Sequence, residues 1–296
     1  MPGKGASYRT RIGIVFSAVP PEAPTWPTVG YDYEARAREL LSMITRTLPN
    51  IEFKHRVVYY VSEWLARTLP KGARVHSEED VRKAVLEDMG DVDGYVVWFL
   101  GLWSRGVADI VAESGKPVVL VDDLYAGSGE LLLAYARLSR AGYPVIAVGS
   151  SNFDDVVKAV KLLDVVARFR NSRILVATER RTYGGMPAEE FARKIRERYG
   201  LELLFVKPDE LNSIYRQVSE EEARPIAEKW IGNAMRIVEP SREEIVKSAR
   251  LYIAMKRLLE KYGADVITID CLTLFYLGRL EAYPCLGFIE LRDGGE

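Results

Sequence analysis

The feature that most constrains this chain is an alternation. Three short, almost wholly apolar runs, residues 94–100 (GYVVWFL), 116–121 (KPVVLV) and 143–148 (YPVIAV), are separated by segments with helical spacing at 107–114 and 129–139. A further helical segment covers 153–169. Strands that are apolar at nearly every position are buried on both faces, and parallel neighbours need a helical crossover between them. The pattern therefore predicts an open parallel sheet with helices on both sides. It begins upstream, with a strand over 11–19, a proline-rich loop, a helix over 31–47 and a strand over 51–60. Ser77 followed by Glu78, Glu79 and Asp80 marks a helix start, because a small polar cap and early acids satisfy the exposed N–H groups. That helix should run to about Met89. Residues 1–171 form one flavodoxin-like or Rossmann-like domain on this reading.

Arg170, Asn171 and Ser172 make a polar break, after which the pattern restarts. Strands are expected at 173–178, 201–206 and 266–269. Helices are expected at 187–199, 208–217, 220–238 and 241–262, the last ended by Gly263. A loop punctuated by Gly278 and Pro284 follows Asp270 and Cys271, and 285–291 is a short candidate helix. Residues 172–296 are read as a second α/β domain. The expected fold class is α/β, with two Rossmann/flavodoxin-like parallel-sheet domains.

Composition removes several function classes. Forty-one Lys and Arg stand against 42 Asp and Glu, a formal net charge of -1, which carries no nucleic-acid or anionic-membrane footprint. No apolar run reaches the length of a membrane span. Residues 1–10 lack the apolar core of a signal peptide. The only cysteines, Cys271 and Cys285, form neither a metal-type spacing nor a disulfide framework, so a cytoplasmic setting is expected. Gln217 is the only glutamine, and Glu, Lys and Arg are plentiful, a balance associated with thermophiles.

Three stretches carry a resemblance. TIDCL at 268–272 followed by GRLEAYPCLGF at 278–288, DDLYAGSGE at 122–130, and EPSREEIVKSARLYIAMKRLLEKYGAD at 239–265 resemble metal-dependent sugar isomerases of the L-fucose/L-arabinose isomerase superfamily. The resemblance implies the amino-terminal part of a fucose isomerase-like aldose–ketose isomerase acting on a pentose or deoxyhexose. The metal-binding residues of that family lie past the point matching Glu296, in a C-terminal domain missing here. It therefore implies Mn²⁺ or a similar divalent ion for the complete enzyme, no metal or catalytic residue in this chain, and no turnover by it alone. The implied partners are the sugar and either further copies in a homo-oligomer or a missing C-terminal polypeptide. A non-catalytic sugar-binding or regulatory module and an oligomerisation scaffold are the competing readings.

Five residues stand out as candidate sugar contacts. Asp270 follows the 266–269 strand, where ligands gather in open α/β sheets, and the resemblance sets it beside the sugar pocket. Asp123 and Ser128 flank a glycine turn ahead of a helix, where carboxylate oxygens accept hydroxyl hydrogen bonds. The same residues also suit a plain capped turn. Trp103 lies beyond Gly101 in a loop, and an aromatic face packs on the apolar side of a sugar ring. Ser17 ends the first strand, at a location that the family turns toward a neighbouring subunit's site. His55 and His76, the only histidines, have no ligand motif around them.

Overall fold

The computed structural model describes residues 8–24, 26–104, 106–123 and 126–294. Most of the 1–10 stretch, Leu124 and Tyr125 of DDLYAGSGE, and the last two residues lie outside these. The chain divides into two compact units, Arg9–Ala167 and a second that starts at Arg168.

The first unit is built on a five-stranded, wholly parallel sheet. Its strands are β1 (Arg11–Ala18), β2 (Glu52–Tyr59), β3 (Gly94–Phe99), β4 (Val118–Asp122) and β5 (Val145–Val148), in the order β2-β1-β3-β4-β5. β1 pairs with β2 from Arg11↔Glu52 to Ala18↔Tyr59 and with β3 from Ile12↔Gly94 to Ser17↔Phe99. The chain moves one way from β1 to β2 and the other way from β3 to β5. The sheet is thus Rossmann-like and doubly wound, with its topological switch between β1 and β3.

Helices cover both faces, as the all-apolar strands require. α1 (Tyr33–Thr47) starts where the Asp32 carboxylate accepts the N–H of Ala35 at 2.8 Å. α2 (Glu63–Thr68) and α3 (Glu78–Arg82) follow β2. Ser77 and Asp80 cap α3 reciprocally, and a π-helical turn at Lys83–Glu87 continues it. α4 (Val107–Ala112) joins β3 to β4, α5 (Ser128–Arg140) joins β4 to β5, and α6 (Phe153–Arg170) follows β5. Two cores result. Ile12, Ile14, Phe16, Val96 and Trp98 pack under α1 and α6. Val15, Val97, Phe99 and Leu120 pack on the opposite face, with Val85, Val111 and Leu131. At roughly 1.5–3 kcal/mol per fully buried large apolar side chain, these two layers are what hold the sheet between its helices.

The second unit has a three-stranded parallel sheet. β6 (Arg173–Ala177) lies between β9 (Glu202–Val206) and β10 (Val266–Ile269), and a two-residue-per-strand hairpin, β7 (Thr182–Tyr183) and β8 (Met186–Pro187), stands apart. α7 (Ala188–Tyr199) ends at Gly200, whose φ of 77° is left-handed. α8 (Pro208–Gln217), α9 (Glu220–Asn233) and α10 (Arg242–Tyr262) supply the helical layer. Leu251, Met255 and Leu258 of α10 bury against Leu175 and Ala177 of β6. Two local readings differ from expectation. α9 stops at Asn233 rather than running to 238, because Gly232 and Asn233 are poor helix formers. The loop after Asp270 is instead a short helix, α11 (Cys271–Tyr276), before α12 (Cys285–Asp293). No helix of the described residues is long and apolar enough to cross a membrane.

Candidate functional site

β4 ends with Asp122 and turns through Asp123 to Gly127, so both carboxylates sit at the carboxyl edge of the sheet. Asp122 Oδ1 accepts the Gly127 N–H at 3.1 Å and Oδ2 accepts the Ser128 hydroxyl at 2.5 Å, which closes the turn into α5. Asp123 is buried. Its two oxygens accept Nε and Nη2 of Arg36 at 2.9 and 2.7 Å, a bidentate pair that fixes the carboxylate plane. Arg36 Nη1 also donates to Glu39 at 2.7 Å. The hydrogen bond to Asp123 raises the Arg36 pKa further above its ordinary value, against the opposing effect of burial. Tyr31, close by, has its phenol pushed up by burial and then by the Asp123 charge.

These groups line a cavity of about 730 Å³, inside the range of small-molecule sites. Its polar lining is Arg36, Glu39, Asp122, Asp123, Ser128 and the loop after β5, Gly149 to Ser151. Its apolar lining includes Leu40, Met43, Trp98, Leu132 and Phe153. Trp98 stacks between Phe16 and Phe153, with centroids at 5.9 and 6.4 Å, and its buried indole nitrogen has no hydrogen-bond partner among the described residues. A buried donor left unpaired costs about 1–3 kcal/mol. Three carboxylates face one guanidinium here, so the lining disfavours an anion. Each carboxylate oxygen keeps a second lone pair. The chemistry offered is acceptance of several O–H or N–H donors against an apolar wall.

Of the five residues singled out in the sequence, the structure brings Asp123 and Ser128 to this cavity. The other three lie outside its lining. Trp103 is in the loop after β3, 38% exposed, edge-to-face with Trp64 at 5.1 Å, and its N–H donates to Glu130 at 2.8 Å. Ser17 is fully buried between Val58 and Phe99 in the register, and its hydroxyl has no partner among the described residues. Asp270 belongs to the second unit. It occupies the cap position of α11, but its carboxylate pairs with Arg180 at 2.7 Å instead of a helix N–H. Arg36 and Glu39 are the charged cavity residues that sequence reasoning passed over. Arg36 sits in an ordinary charged helix, 87 residues from its partner.

Neither a protein-family model nor a curated protein matches this chain.

Proposed function

We propose that the cavity beside Asp122 and Asp123 holds a small neutral polyhydroxylated ligand, of the pentose or deoxyhexose class. The chain would be the flavodoxin-like, sugar-holding portion of a metal-dependent aldose–ketose isomerase-like protein in the cytoplasm, both units being of that doubly wound kind. The observation that carries the reading is the pairing of two fixed carboxylates with an apolar wall of Leu40, Met43 and Leu132 in one cavity. Carboxylate oxygens take hydroxyl hydrogen bonds, and the apolar side chains cover the C–H face of a sugar. The resemblance of DDLYAGSGE to sugar isomerases supports the same stretch.

The residues present do not suit Mn²⁺. A hard divalent ion wants several free oxygens around it. Both Asp123 oxygens already face a guanidinium, and both Asp122 oxygens are tied to the α5 turn. Among the described residues no group of three His, Cys, Asp or Glu side chains could hold a metal ion. The reading for this chain is therefore binding, and no chemical step is routed through a metal.

A panel of pentoses and deoxyhexoses, with and without Mn²⁺, tests this by thermal shift and calorimetry. A ligand at a hundred times its Kd stabilises by about 2.7 kcal/mol, and a neutral sugar should do so regardless of metal. Leu132→Trp, which fills the cavity from an exposed position, should abolish the shift. A flat response across the panel, or a sugar shift that this variant leaves intact, sinks the reading.

A further inference from the structure

The two edges of the five-stranded sheet differ in a way that matters. β2, at one edge, carries Lys54, His55 and Arg56, with Lys54 ion-paired to Asp91 at 2.6 Å. Charges on an edge strand deter pairing by another chain. β5, at the other edge, reads Val-Ile-Ala-Val and has no charge at all. Among the described residues β4 is the one strand it pairs with, and Ile146 is 39% exposed.

A flanking helix extends the same surface. On α5, Leu131, Ala134 and Leu138 face the sheet, while Ser128, Leu132, Tyr135 and Ser139 recur at i, i+4, i+7 and i+11 as an uncharged stripe. Leu132 is 64% exposed. Ser128 and Leu132 line the cavity together with Gly149 to Ser151, which follow β5, so this stripe looks toward the β5 edge. On α6, Asp164 bonds Thr10 just ahead of β1, which turns that flank toward β1. Leu162 lies elsewhere on the helix and is 55% exposed. An unguarded edge continued by an uncharged, partly apolar helix stripe is a surface that has to be covered.

We infer that a second copy of this chain covers it, the two β5 strands pairing antiparallel across a twofold axis. The edge is complementary to itself. An axis at Ala147, whose N–H points away from β4, sets Ala147 opposite its own counterpart and Ile146 opposite the partner's Val148, and no like charges meet. A twofold contact uses one patch twice, so the α5 stripe comes round to its own counterpart. A lone extended peptide satisfies the strand edge but leaves the helix stripe bare. The occupant has to carry its own edge strand beside a helix layer, which is what this unit is. The product is a continuous ten-stranded sheet, and it forms whether or not the cavity holds a sugar.

Sedimentation velocity on the full chain across a wide concentration range tests it, with deuterium exchange read at residues 145–148. The expected result is the mass of two chains, with slow exchange at those amides. Ile146→Lys, placed at an exposed edge position, should return one chain and exchange on the order of tenfold faster. Leu132→Lys should weaken association without touching the strand, and circular dichroism checks that both variants keep the native helix and strand content. A wild-type chain that sediments singly at every concentration overturns the inference. So does a dimer that a folded Ile146→Lys leaves intact, or one whose dissociation leaves exchange at 145–148 unchanged.

Discussion

Glu130 holds up a strained neighbour. Its carboxylate accepts the N–H of Trp103, whose φ of 64° lies in the left-handed region, a conformation that costs a bulky residue about 1–2 kcal/mol. Burial pushes the Glu130 pKa up, outweighing the hydrogen bond from Trp103 and the nearby charge of Arg137. A carboxyl with a raised folded-state pKa favours the folded state at low pH, and that contribution fades as pH rises through the raised value. Glu130→Gln keeps the acceptor and removes the charge. The stability gap between variant and wild type should therefore move in the variant's favour as pH rises above the ordinary glutamate range, then level off; urea titrations over pH 4 to 8 measure it. A gap independent of pH would assign Glu130 a purely packing role. The same scale shows what a sequence conceals. Asp123 was visible as an acid at a strand end, yet its partner Arg36 was not, because nothing local ties two residues 87 positions apart. Ser17 was placed by its strand end alone, and the fold turns its hydroxyl into the core rather than toward the cavity.

At the level of elements, the turn from β4 into α5 sets how closely the helix start approaches the sheet. A Cβ on Gly127 would stand 2.2 Å from Phe99 Cβ and 2.7 Å from the Phe99 carbonyl oxygen, so β3 leaves room for nothing larger. Two residues on, a Cβ at Gly129 meets nothing within 4 Å. Gly127→Ala should cost about 1–3 kcal/mol through overpacking and loosen the Asp122–Ser128 contact. Gly129→Ala should stabilise by about 0.5–1 kcal/mol through helix entropy. Denaturant midpoints of the two variants, moving in opposite directions, check the geometry; equal effects would mean that the close approach is absent. Elements with a strong period were legible: the apolar runs at 94–100, 116–121 and 143–148 became β3, β4 and β5 within two residues at each end. What escaped were pieces too short to show a period, namely α2, the β7–β8 hairpin and α11. In α11 the run Leu272 to Tyr276 is broken by Thr273 alone, and Leu272 and Tyr276 stay exposed at 64% and 77%. An apolar stretch of that kind does not announce which way it will turn.

For the molecule as a whole, the decisive fact is that each apolar core is confined to one unit. The two layers on either side of the five-stranded sheet draw on residues between Ile12 and Leu163, and the remaining clusters on residues between Leu175 and Leu291. A segment that owns its core and both faces of its sheet has what independent folding requires. The fragment 9–170, cut after α6 so that this helix stays whole, should therefore unfold in one cooperative transition, with stability in the range of roughly 5–15 kcal/mol usual for single domains. It contains the whole cavity lining and the whole β5 edge. It should accordingly show the sugar-dependent thermal shift of the full chain and the same monomer–dimer behaviour, both lost to the variants that abolish them there. A fragment that melts without a cooperative transition would mean that the sheet depends on residues beyond Arg170. A fragment that folds but stays single where the full chain pairs would move the interface off β5 and onto the second unit, because nothing else distinguishes the two proteins.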